Sequence, residues 1–560
     1  MDIKRALISV SDKTGIVELA KSLNQLNIEI ISTGGTAKAI KEAEIPVKEI
    51  SELTGFPEIM NGRVKTLHPL IHGGILACRD EDEHMKAVKD HNIPLIDLIV
   101  VNLYPFVSVT KDESVTLKEA VENIDIGGPT MLRAAAKNYE YVAVVTDPAD
   151  YEVVVDQIQK NGGVDKETRG RLAAKVFQHT ASYDAAIDTY LSRVLLEENN
   201  LHMNFKEGRV LRYGENSHQN AVFYKDPLSQ ETSVADSEIL SGKAMSYNNY
   251  VDANAAYEAV KDLPPDKPAV SVIKHTNPCG LAVGDTVGEA LAKAWEGDPM
   301  SAFGGVLATN STVDMAFAEF LKGDQIKHIS YSIVDGEPVA QEVPTGKFVE
   351  VIIAPDFDSD AVDYLKRKSK MIRLVKTGKT LKADEKTFRA ITGGFLLQDR
   401  DNQLAEKFEV VTEKLFSDEM KALAEFLLVA CKHTKSNAIV VGRAYAPNKF
   451  QVTGMGAGQP NRVDSLRKLS IPKAKENMKR EFEALGESGN FEDWWLQEVG
   501  KMVMVSDGFF PFDDTVREAA SFGIKYIVQP GGSMRDDDSI KACNELGMAM
   551  ALTGLRHFNH

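Results

Sequence analysis

Short apolar runs alternate with amphipathic segments along residues 1–200. Each apolar run is long enough for one buried strand, and the apolar residues of the amphipathic segments have the spacing of a helix face. Strands that alternate with helices predict a parallel, doubly wound α/β sheet, whose ligands bind beyond the carboxyl ends of the strands. The predicted strands are residues 6–10, 28–32, 95–101 and 141–145, and the predicted helices are 16–20, 37–42, 153–161 and 168–198.

Polar loops follow the first two of these strands. Residues 11–15 (SDKTG) and 32–36 (STGGT) offer hydroxyl groups, small residues and the free N–H groups of a helix start, which together suit a phosphate. Residues 63–66 (RVKT) are expected at the same edge, so an anionic ligand is predicted there. An ordinary capped turn is the alternative for either loop alone, and neither has the Walker pattern.

A turn at residues 123–130 (NIDIGGPT) opens a helix that carries Lys137. Asp125 in that turn, Lys137 and the phenol of Tyr104 form a candidate group around a reacting amide and carbonyl. Asp125 would orient the amide, while Lys137 would stabilise developing negative charge or relay a proton. A helix cap and a surface lysine are the alternative interpretation of the same residues.

His68 and His72 have the spacing of metal ligands on one helix face. Pro69 and the pair Gly73-Gly74 argue against a regular helix at this point. No carboxylate nearby has the spacing of a further ligand, so no metal site is predicted here.

In the second part of the chain, an apolar run at 269–273 predicts a buried strand, which is followed by residues 274–280 (KHTNPCG). Asn-Pro and Gly predict that the strand stops there in a turn. Lys274 and His275 would then stand side by side at a strand end, where sheets present catalytic groups. A turn with one solvated lysine and one structural histidine is the alternative.

The tripeptide Lys-His-Thr recurs at 432–434, which is 158 residues further on. It again follows an apolar run (426–431), is again followed seven residues later by Val-Gly, and again precedes a glycine-rich turn. These shared features predict a duplicated αβ unit with a pseudo-symmetric cleft, in which the first copy does chemistry and the second binds. A chance match of the three residues is the alternative explanation.

Composition limits the class of protein. The chain has 560 residues, which predicts several domains, and a formal net charge of −17, which argues against a general nucleic-acid binder. No apolar run of membrane length and no signal segment is evident. The four cysteines are scattered without a disulfide or zinc pattern. A cytoplasmic protein is therefore predicted, and the negative charge does not exclude small anionic substrates, which a few local cationic side chains and N–H groups can bind.

Eleven short motifs run along the chain: SDKTG, STGGT, NGRVKTLHP, NLYPF, DIGGP, LRYGEN, KHTNPCG, SNA, GAGQ, FFPF and QPGGS. In this order they closely resemble the bifunctional purine-biosynthesis family that joins 5-aminoimidazole-4-carboxamide ribonucleotide (AICAR) transformylase to IMP cyclohydrolase. The resemblance covers essentially the whole chain. It implies formyl transfer from 10-formyltetrahydrofolate, a cosubstrate, to AICAR without a catalytic metal, followed by cyclisation of formyl-AICAR to IMP.

The resemblance also implies an architecture and a set of site residues in the first domain. Residues 1–200 would be a methylglyoxal-synthase-like cyclohydrolase with a parallel sheet. Tyr104, Asp125 and Lys137 would be catalytic there. The implied nucleotide-binding residues are Ser11, Asp12, Lys13, Thr33, Gly34, Gly35, Thr36, Arg63, Val64, Lys65, Thr66, Asn102 and Ile126.

Residues 201–370 and 371–560 would be two duplicated cytidine-deaminase-like α/β halves of the transformylase, with a site shared between the chains of a homodimer. Lys274 and His275 would be catalytic. The implied AICAR-binding residues are Arg212, Tyr213, Asn249, Phe303, Gly304, Glu350, Asn437 and Arg462, and the implied folate-binding residues are Val463, Phe509, Ser533, Met534 and Arg556.

The chain departs from the family pattern at Pro460-Asn461 before Arg462, at Asp513, where many relatives carry Arg, and at Glu350, where some carry Asp; residues 323–346 look like an extra stretch. Two alternatives from other classes remain. The first 150 residues resemble nucleotide-sensing domains that do no chemistry, and the second part could be a zinc deaminase. The deaminase motifs PCxxC and HxE are absent.

Overall fold

The computed structural model describes residues 2–112, 114–226, 229, 231–321, 326–334, 337–345, 347–382, 386–486 and 489–560. The chain divides into two compact units, Met1–Asn204 (unit 1) and Phe205–His560 (unit 2). Among the described residues, no helix is long and apolar enough to cross a membrane.

Unit 1 is built on a parallel sheet with the strand order β3-β2-β1-β4-β5 in the described residues. The strands are β1 (Arg5–Ser9), β2 (Glu29–Ser32), β3 (Lys48–Glu49), β4 (Leu98–Val101) and β5 (Ala143–Val145). The helices are α1 (Ile16–Gln25), α2 (Gly34–Glu42), α3 (Ile50–Thr54), α4 (Pro69–Leu76), α5 (Asp82–Asp90), α6 (Phe106–Thr110), α7 (Leu117–Glu122), α8 (Gly127–Lys137), α9 (Tyr151–Asn161) and α10 (Lys166–Leu191).

Helices cover both faces of this sheet, which explains why its strands read as continuous apolar runs. Alternate residues of β1 enter different cores: Ala6 and Ile8 pack on one side, and Leu7 packs on the other. All four residues of β4 are buried. Burial on both faces is typical of parallel sheets, so the predicted parallel α/β fold is confirmed for unit 1.

The interpretation of residues 68–76 as an irregular segment was wrong, because α4 is a regular helix. His68 is its N-cap and accepts a hydrogen bond from the Leu70 N–H at 3.2 Å. Proline is favoured at the first helical position, where no N–H partner is needed. A Cβ atom at Gly74 would lie 2.1 Å from the Pro94 carbonyl oxygen, so glycine permits close packing of the helix here.

Unit 2 is organised around a mixed sheet of twelve strands in the described residues, in the order β18-β23-β22-β21-β19-β20-β10-β9-β11-β14-β15-β8. Its strands are β8 (Glu238–Ser241), β9 (Ala269–Lys274), β10 (Asn277–Val283), β11 (Gly305–Thr309), β14 (Val349–Ala354), β15 (Arg373–Lys376), β18 (Glu409–Val410), β19 (Ile439–Ala446), β20 (Lys449–Gly456), β21 (Val503–Ser506), β22 (Tyr526–Gln529) and β23 (Ala549–Leu552). Separate two-stranded sheets are β6 (Lys206–Val210) with β7 (Val222–Lys225), β12 (Ile326–Val334) with β13 (Glu337–Thr345), and β16 (Lys386–Ile391) with β17 (Gly394–Asp399).

The extra stretch noted in the sequence, residues 323–346, contains the antiparallel pair β12 and β13. Residues 323–325, 335, 336 and 346 of that stretch lie outside the described residues.

The helices of unit 2 are α11 (Tyr247–Lys261), α12 (Val287–Glu296), α13 (Pro299–Ala302), α14 (Met315–Phe320), α15 (Ser359–Lys368), α16 (Asp418–Lys432), α17 (Arg462–Asp464), α18 (Ile471–Leu485), α19 (Phe491–Val499), α20 (Asp514–Ser521) and α21 (Asp536–Glu545). One series of elements occurs twice: a long helix, an antiparallel hairpin, and strands that alternate with helices. It begins at α11 with the hairpin β9-β10, and again at α16 with the hairpin β19-β20. The paired hairpins meet through β10 and β20 at the middle of the sheet.

The register that the Lys-His-Thr repeat suggested is wrong, although the same kind of αβ unit does occur twice. Lys274 ends strand β9, whereas Lys432 ends helix α16. The counterpart of Lys432 in the first series is therefore Lys261 at the end of α11. An apolar run of six residues cannot distinguish a buried strand from a buried helix turn, and the run at 426–431 belongs to a helix.

Candidate active sites

A cavity of about 570 Å³ lies beyond the carboxyl ends of β1, β2 and β4 in unit 1, as the parallel-sheet rule predicts. It is large enough for a nucleotide-sized ligand. The predicted residues that line it are Ser11, Lys13, Thr33, Gly34, Gly35, Thr36, Arg63, Lys65, Thr66, Asn102, Tyr104, Asp125 and Ile126.

Asn102 fixes the first of the two predicted phosphate loops. Its Oδ1 accepts the Ser11 N–H at 2.6 Å and the Asp12 N–H at 3.0 Å, and its Nδ2 donates to the Asp12 carbonyl at 2.9 Å. The second loop is tied to β1 by a 2.7 Å hydrogen bond between the hydroxyls of Ser9 and Thr33. The loops are therefore held in place before any ligand arrives, which favours binding.

Three cationic side chains line the same cavity. A Cβ atom built on Gly34 would lie 3.2 Å from the Lys65 Nζ, and one on Gly35 would lie 3.9 Å from the Lys13 Nζ, so both amines lie beside the start of α2. Arg63 forms an ion pair with Glu122 across the cavity rim. Two lysines at a helix start whose side-chain cap is absent are suited to a phosphate.

Asp125 also lines this cavity, just before the start of α8. Its Oδ1 accepts the Gly128 N–H at 2.8 Å, and its own N–H donates to the Tyr183 hydroxyl at 2.8 Å. Burial raises the pKa of the Asp125 carboxyl, although hydrogen bonds from the Gly128 and Tyr104 backbone and the charge of Lys65 oppose the shift. A carboxyl with a raised pKa in a cavity is typical of a reactive site.

Lys137 does not line this cavity. It is exposed at the last residue of α8, which begins at Gly127, and ten residues of helix place it about 15 Å along the axis from the cavity end. Asp12 and Val64 also lie outside the lining, and the Asp12 carboxylate instead accepts hydrogen bonds from the N–H and hydroxyl of Thr14.

Sequence reasoning missed three supporting residues in unit 1. Tyr183 lies 58 residues after Asp125, so no local pattern signals its hydrogen bond. A Cβ atom at Gly127 would lie 2.3 Å from the Thr66 Oγ1, and one at Gly128 would lie 2.6 Å from the Asp125 Oδ2. The Gly-Gly pair in the motif DIGGP could have indicated these close contacts, because glycine is needed where two loops approach each other.

The predicted transformylase residues of unit 2 lie along one edge of the twelve-stranded sheet. The end of β9 and the start of β11 share this edge, because those strands are antiparallel, and β14 begins there too. In the second half, β19 begins and β20 and β21 end at the same edge.

Lys274 and His275 occupy a tight turn between β9 and β10. His275 and Thr276 have positive φ angles of 49° and 62°, and Lys274 pairs with Asn277 across the turn. The Lys274 Nζ donates to the Phe303 carbonyl at 2.8 Å, beside Gly304, while the His275 side chain is exposed. The amine and the imidazole are thus presented together at the sheet edge.

The prediction that Asn-Pro and Gly end the strand was wrong: the chain turns earlier, at 275–276, and β10 starts at Asn277. Pro278 is accommodated at a register shift between β9 and β10. A Cβ atom at Gly280 would lie 1.8 Å from the Ala294 carbonyl oxygen, so glycine allows α12 to pack directly on the strand.

Four predicted AICAR-binding residues lie near the starts of β14 and β15. The Asn249 Nδ2 donates to the Glu350 Oε2 at 2.6 Å, and the same oxygen lies 3.7 Å from the Arg373 Nη1. Arg212 donates to the Tyr213 hydroxyl at 2.7 Å and stacks on that ring at 4.6 Å. Sequence reasoning missed Arg373, which lies 23 residues beyond Glu350 and joins it only through the pairing of β14 with β15.

Asn437 and Arg462 lie in the other half of unit 2. Arg462 donates to the buried Asp507 Oδ1 from Nε at 3.0 Å and from Nη2 at 2.8 Å, and it lies over the ring of Phe558 at 5.5 Å. The Asn437 Nδ2 donates to the Gln459 carbonyl at 2.9 Å. This group is therefore held by hydrogen bonds to Asp507 and to the Gln459 carbonyl, and it includes one aromatic ring.

The predicted folate-binding residues extend from this second group. Val463 follows Arg462 in α17, Arg556 stacks on Phe558 at 4.7 Å, and Phe509 follows the end of β21. The Ser533 N–H donates to the Asp536 Oδ2 at 3.1 Å, and the Met534 side chain is fully exposed.

The two AICAR-binding groups are too far apart for one small nucleotide on one chain. Glu350 is in β14, and Asn437 precedes β19, which is five strand positions away in the sheet order. At about 4.8 Å per strand, this separation is about 24 Å.

The second Lys-His-Thr copy is occupied by structural contacts. The Lys432 Nζ and the His433 Nε2 lie 3.0 Å and 2.8 Å from the Asp262 Oδ2. Burial alone would raise the pKa of Asp262, but His433 and Lys432 hold it well below its usual value. Among the described residues, no group of three or more His, Cys, Asp or Glu side chains could hold a metal ion.

The chain is similar to known proteins over its whole length. Models of the family described as "AICARFT/IMPCHase bienzyme" and of an "MGS-like domain" match residues 135–472 and 15–130. Proteins named "Bifunctional purine biosynthesis protein PurH" from Persephonella marina and Anoxybacillus flavithermus are 45% and 46% identical to it, with 100% of each chain covered. A solved structure titled "Crystal structure of ForH" is 36% identical, over 33% of this chain and 97% of its own, with a TM-score of 0.30. The chain therefore belongs to the AICARFT/IMPCHase bienzyme family.

Proposed function

We propose that the protein carries out two consecutive steps of purine biosynthesis. Unit 2 transfers a formyl group from 10-formyltetrahydrofolate to the 5-amine of AICAR, and unit 1 closes formyl-AICAR to IMP with loss of water. The full-length match to relatives named as bifunctional purine biosynthesis proteins is the observation that carries this proposal. The boundaries at 200 and 370 are proposed as the limits of the cyclohydrolase and the two transformylase halves.

In formyl transfer, His275 is proposed as the general base and Lys274 as the electrophilic partner. The 5-amine of AICAR is a weak nucleophile because its lone pair is conjugated with the carboxamide. His275 accepts its proton as the amine nitrogen attacks the formyl carbon, and Lys274 stabilises the oxyanion. The carbon–nitrogen bond to the folate then breaks, and the folate nitrogen takes up the proton that His275 accepted, which returns the imidazole to its neutral form. The hydrogen bond that the Lys274 Nζ donates to the Phe303 carbonyl at 2.8 Å fixes the position of this amine.

In cyclisation, the carboxamide nitrogen attacks the formyl carbon and water leaves. The phosphate is proposed to bind between Lys13, Lys65 and the start of α2, so the base of the nucleotide reaches toward Asp125 and Tyr104. Asp125 orients the carboxamide, because hydrogen bonds from the Gly128 N–H and the Tyr104 backbone fix the position of its carboxyl. Lys137 can take the role implied by the resemblance only if another chain brings it to the cavity.

The transformylase site is proposed to be shared between two copies of the chain in a homodimer. The separation of about 24 Å between the two AICAR-binding groups supports this, since one chain offers each nucleotide only half of its contacts. The ribbon β16-β17 also exposes apolar side chains, including Phe388, Ile391 and Leu396. A two-stranded ribbon with such a surface is marginal alone and suits a protein interface.

A direct assay tests the proposal: purified protein is incubated with AICAR and 10-formyltetrahydrofolate, and IMP is measured. IMP formation is expected, without added metal and in the presence of a chelator. Binding of nucleotide without turnover would favour the sensing-domain alternative. Deamination of a base would favour the deaminase alternative. Cys279 is poorly suited to bind zinc, because burial raises the pKa of its thiol and its Sγ lies 3.2 Å from the Val272 carbonyl oxygen.

The partners are small molecules, namely AICAR, formyl-AICAR, IMP and the folate, and no nucleic acid or membrane is involved. A cytoplasmic location is proposed because all four cysteines are free thiols.

A further inference from the structure

The turn that carries His275 has a backbone conformation that its own residues do not favour. His275 and Thr276 have φ angles of 49° and 62°, which together make the mirror-image turn that usually contains Asn-Gly or Gly-Gly. A β-branched residue such as Thr276 is a strong outlier at positive φ. Such a conformation persists only where surrounding groups fix it.

Asp252 supplies two of these fixing contacts. Its Oδ1 accepts the Thr276 N–H at 2.8 Å, and its Oδ2 accepts the His275 N–H at 3.3 Å. Each carboxylate oxygen therefore binds one of the two N–H groups of the strained turn. The third contact comes from Asn277, whose Nδ2 donates to the His275 carbonyl at 3.0 Å.

Asp252 is itself held on a rigid support. It lies in α11, where Ala253, Ala256 and Tyr257 are buried against the core that includes Ile273 of β9. Asn249, which binds Glu350, precedes Asp252 by three residues and so lies on the same side of the helix. One helix therefore positions a predicted AICAR ligand and the turn of the predicted base.

We propose that Asp252 is a positioning residue for formyl transfer: its carboxylate holds the 275–276 turn in its left-handed conformation and so aims the His275 imidazole at the 5-amine of AICAR. This inference rests on the proposed function of unit 2. Nothing in the sequence signals it, because Asp252 lies 23 residues before His275 in a helix that reads as a packing element.

The test uses the full-length protein and three variants, Asp252→Asn, Thr276→Gly and the double variant. An asparagine keeps one acceptor oxygen but places an NH₂ group where the second must be. We expect kcat for formyl transfer to fall about 10²-fold in Asp252→Asn, because misplacement of a reacting group by about 1 Å has effects of this size. The KM for AICAR should change by less than about 3-fold, since the binding groups are elsewhere.

Glycine at position 276 distinguishes positioning of the turn from any other role of the carboxylate. Glycine adopts positive φ readily and is the residue that this turn type prefers. Thr276→Gly alone should be close to wild type, and the double variant should recover about 10-fold of the kcat lost in Asp252→Asn. Asp314→Asn is the matched control, because Asp314 also accepts a backbone N–H, from Phe317 at 2.8 Å, but in a helix cap away from the turn.

Two results would overturn the inference: an Asp252→Asn kcat close to that of wild type, or a double variant as slow as Asp252→Asn. A loss in Asp252→Asn that Asp314→Asn shares would mean general destabilisation and would also overturn it. These failures differ from failure of the proposed function, in which the wild-type protein itself would form no formyl-AICAR. Cyclisation of supplied formyl-AICAR should be equal in all variants.

Discussion

The two units place their predicted site residues in opposite ways. In unit 1, thirteen of the predicted residues line one cavity of about 570 Å³ at the ends of three parallel strands. In unit 2, the predicted residues are spread along one edge of a twelve-stranded sheet, and the two AICAR-binding groups are about 24 Å apart. The first set of residues therefore shares one cavity within one chain, whereas the second set forms two separate groups.

The difference follows from strand direction. In the all-parallel sheet of unit 1, every strand delivers its following loop to the same edge, and adjacent loops converge on one ligand. In unit 2 the central strands β9, β10, β20 and β19 are antiparallel hairpins, so each half presents its own loops around its own hairpin. Joining the halves through β10 and β20 places the Lys435 N–H 3.0 Å from the Asn277 Oδ1, but it leaves the Glu350 and Asn437 groups on opposite sides of the lengthened edge.

The largest expected effect separates the chemistry of the two units. His275→Ala should lower formyl transfer about 10²–10⁴-fold, which is the usual contribution of a general base. Cyclisation of supplied formyl-AICAR should be unchanged, because His275 is in unit 2. Formyl transfer is measured as the formation of tetrahydrofolate, and cyclisation is measured as the formation of IMP.

His433→Ala is the matched control for this variant. It removes the histidine of the other Lys-His-Thr tripeptide, whose imidazole is engaged by Asp262 at 2.8 Å. Formyl transfer should stay within about 3-fold of wild type, as for most changes outside a reacting centre. Equal losses in both variants would contradict the assignment of the base to the first copy.

Much of the fold could be predicted from the sequence, because the alternation of strands and helices and the parallel-sheet rule require only local patterns. These patterns predicted that the polar loops at residues 11–15 and 32–36 lie at one edge of the sheet, and residues of both loops line one cavity there. The register of the duplication could not be predicted, since three shared letters at 274 and 432 do not report whether a strand or a helix precedes them.

Contacts between distant residues were the other limit. Tyr183 bonds Asp125 across 58 residues, and Arg373 reaches Glu350 only through strand pairing. The position of Lys137, exposed and about 15 Å along α8 from the cavity, also required the helix bounds. The sequence separation between a side chain and a motif does not determine where that side chain lies in the site.

The second prediction tests whether the unit 1 site is complete in one chain. Lys65→Ala should slow cyclisation about 10²-fold, because its amine lies beside the start of α2, its charge also acts on Asp125, and it is expected to stabilise negative charge there. Lys137→Ala should cause a smaller loss. Rates are measured with supplied formyl-AICAR, and formyl transfer is the internal control. An equal loss in Lys137→Ala would contradict a unit 1 site formed by one chain, because Lys137 would then have to come from another chain.

The third prediction tests the proposal that the unit 2 site is divided between two chains. His275→Ala and Arg462→Ala proteins should each be inactive in formyl transfer, but a co-expressed equal mixture should recover about a quarter of wild-type activity. Half of the dimers would be mixed, and one of the two sites in each mixed dimer would be intact. Two different affinity tags allow the mixed dimers to be isolated and assayed. No recovery in isolated mixed dimers would show that each site is contained in one chain.

The smallest expected effect concerns stability in unit 1. Burial raises the pKa of Asp125, so the stability associated with its neutral form is present below its usual pKa of 3.8 and is lost as pH rises through the raised pKa. Asp125→Asn removes the buried charge and should raise the unfolding temperature at pH 7 by about 2 °C, while slowing cyclisation. The gain should disappear in acid, where the wild-type carboxyl is also neutral.

Asp12→Asn is the matched control for Asp125→Asn, and its effect should have the opposite sign. Hydrogen bonds from the hydroxyl and N–H of Thr14 lower the pKa of Asp12, so its contribution is present above the usual pKa and is lost as pH falls through the lowered pKa. Asp12→Asn should therefore lower the unfolding temperature slightly at pH 7. If both variants lowered it, the Gly128 N–H and Lys65 would outweigh burial at Asp125. The carboxylate of the reacting cavity would then be a stabilising group, and unit 1 would hold its site without a cost in stability.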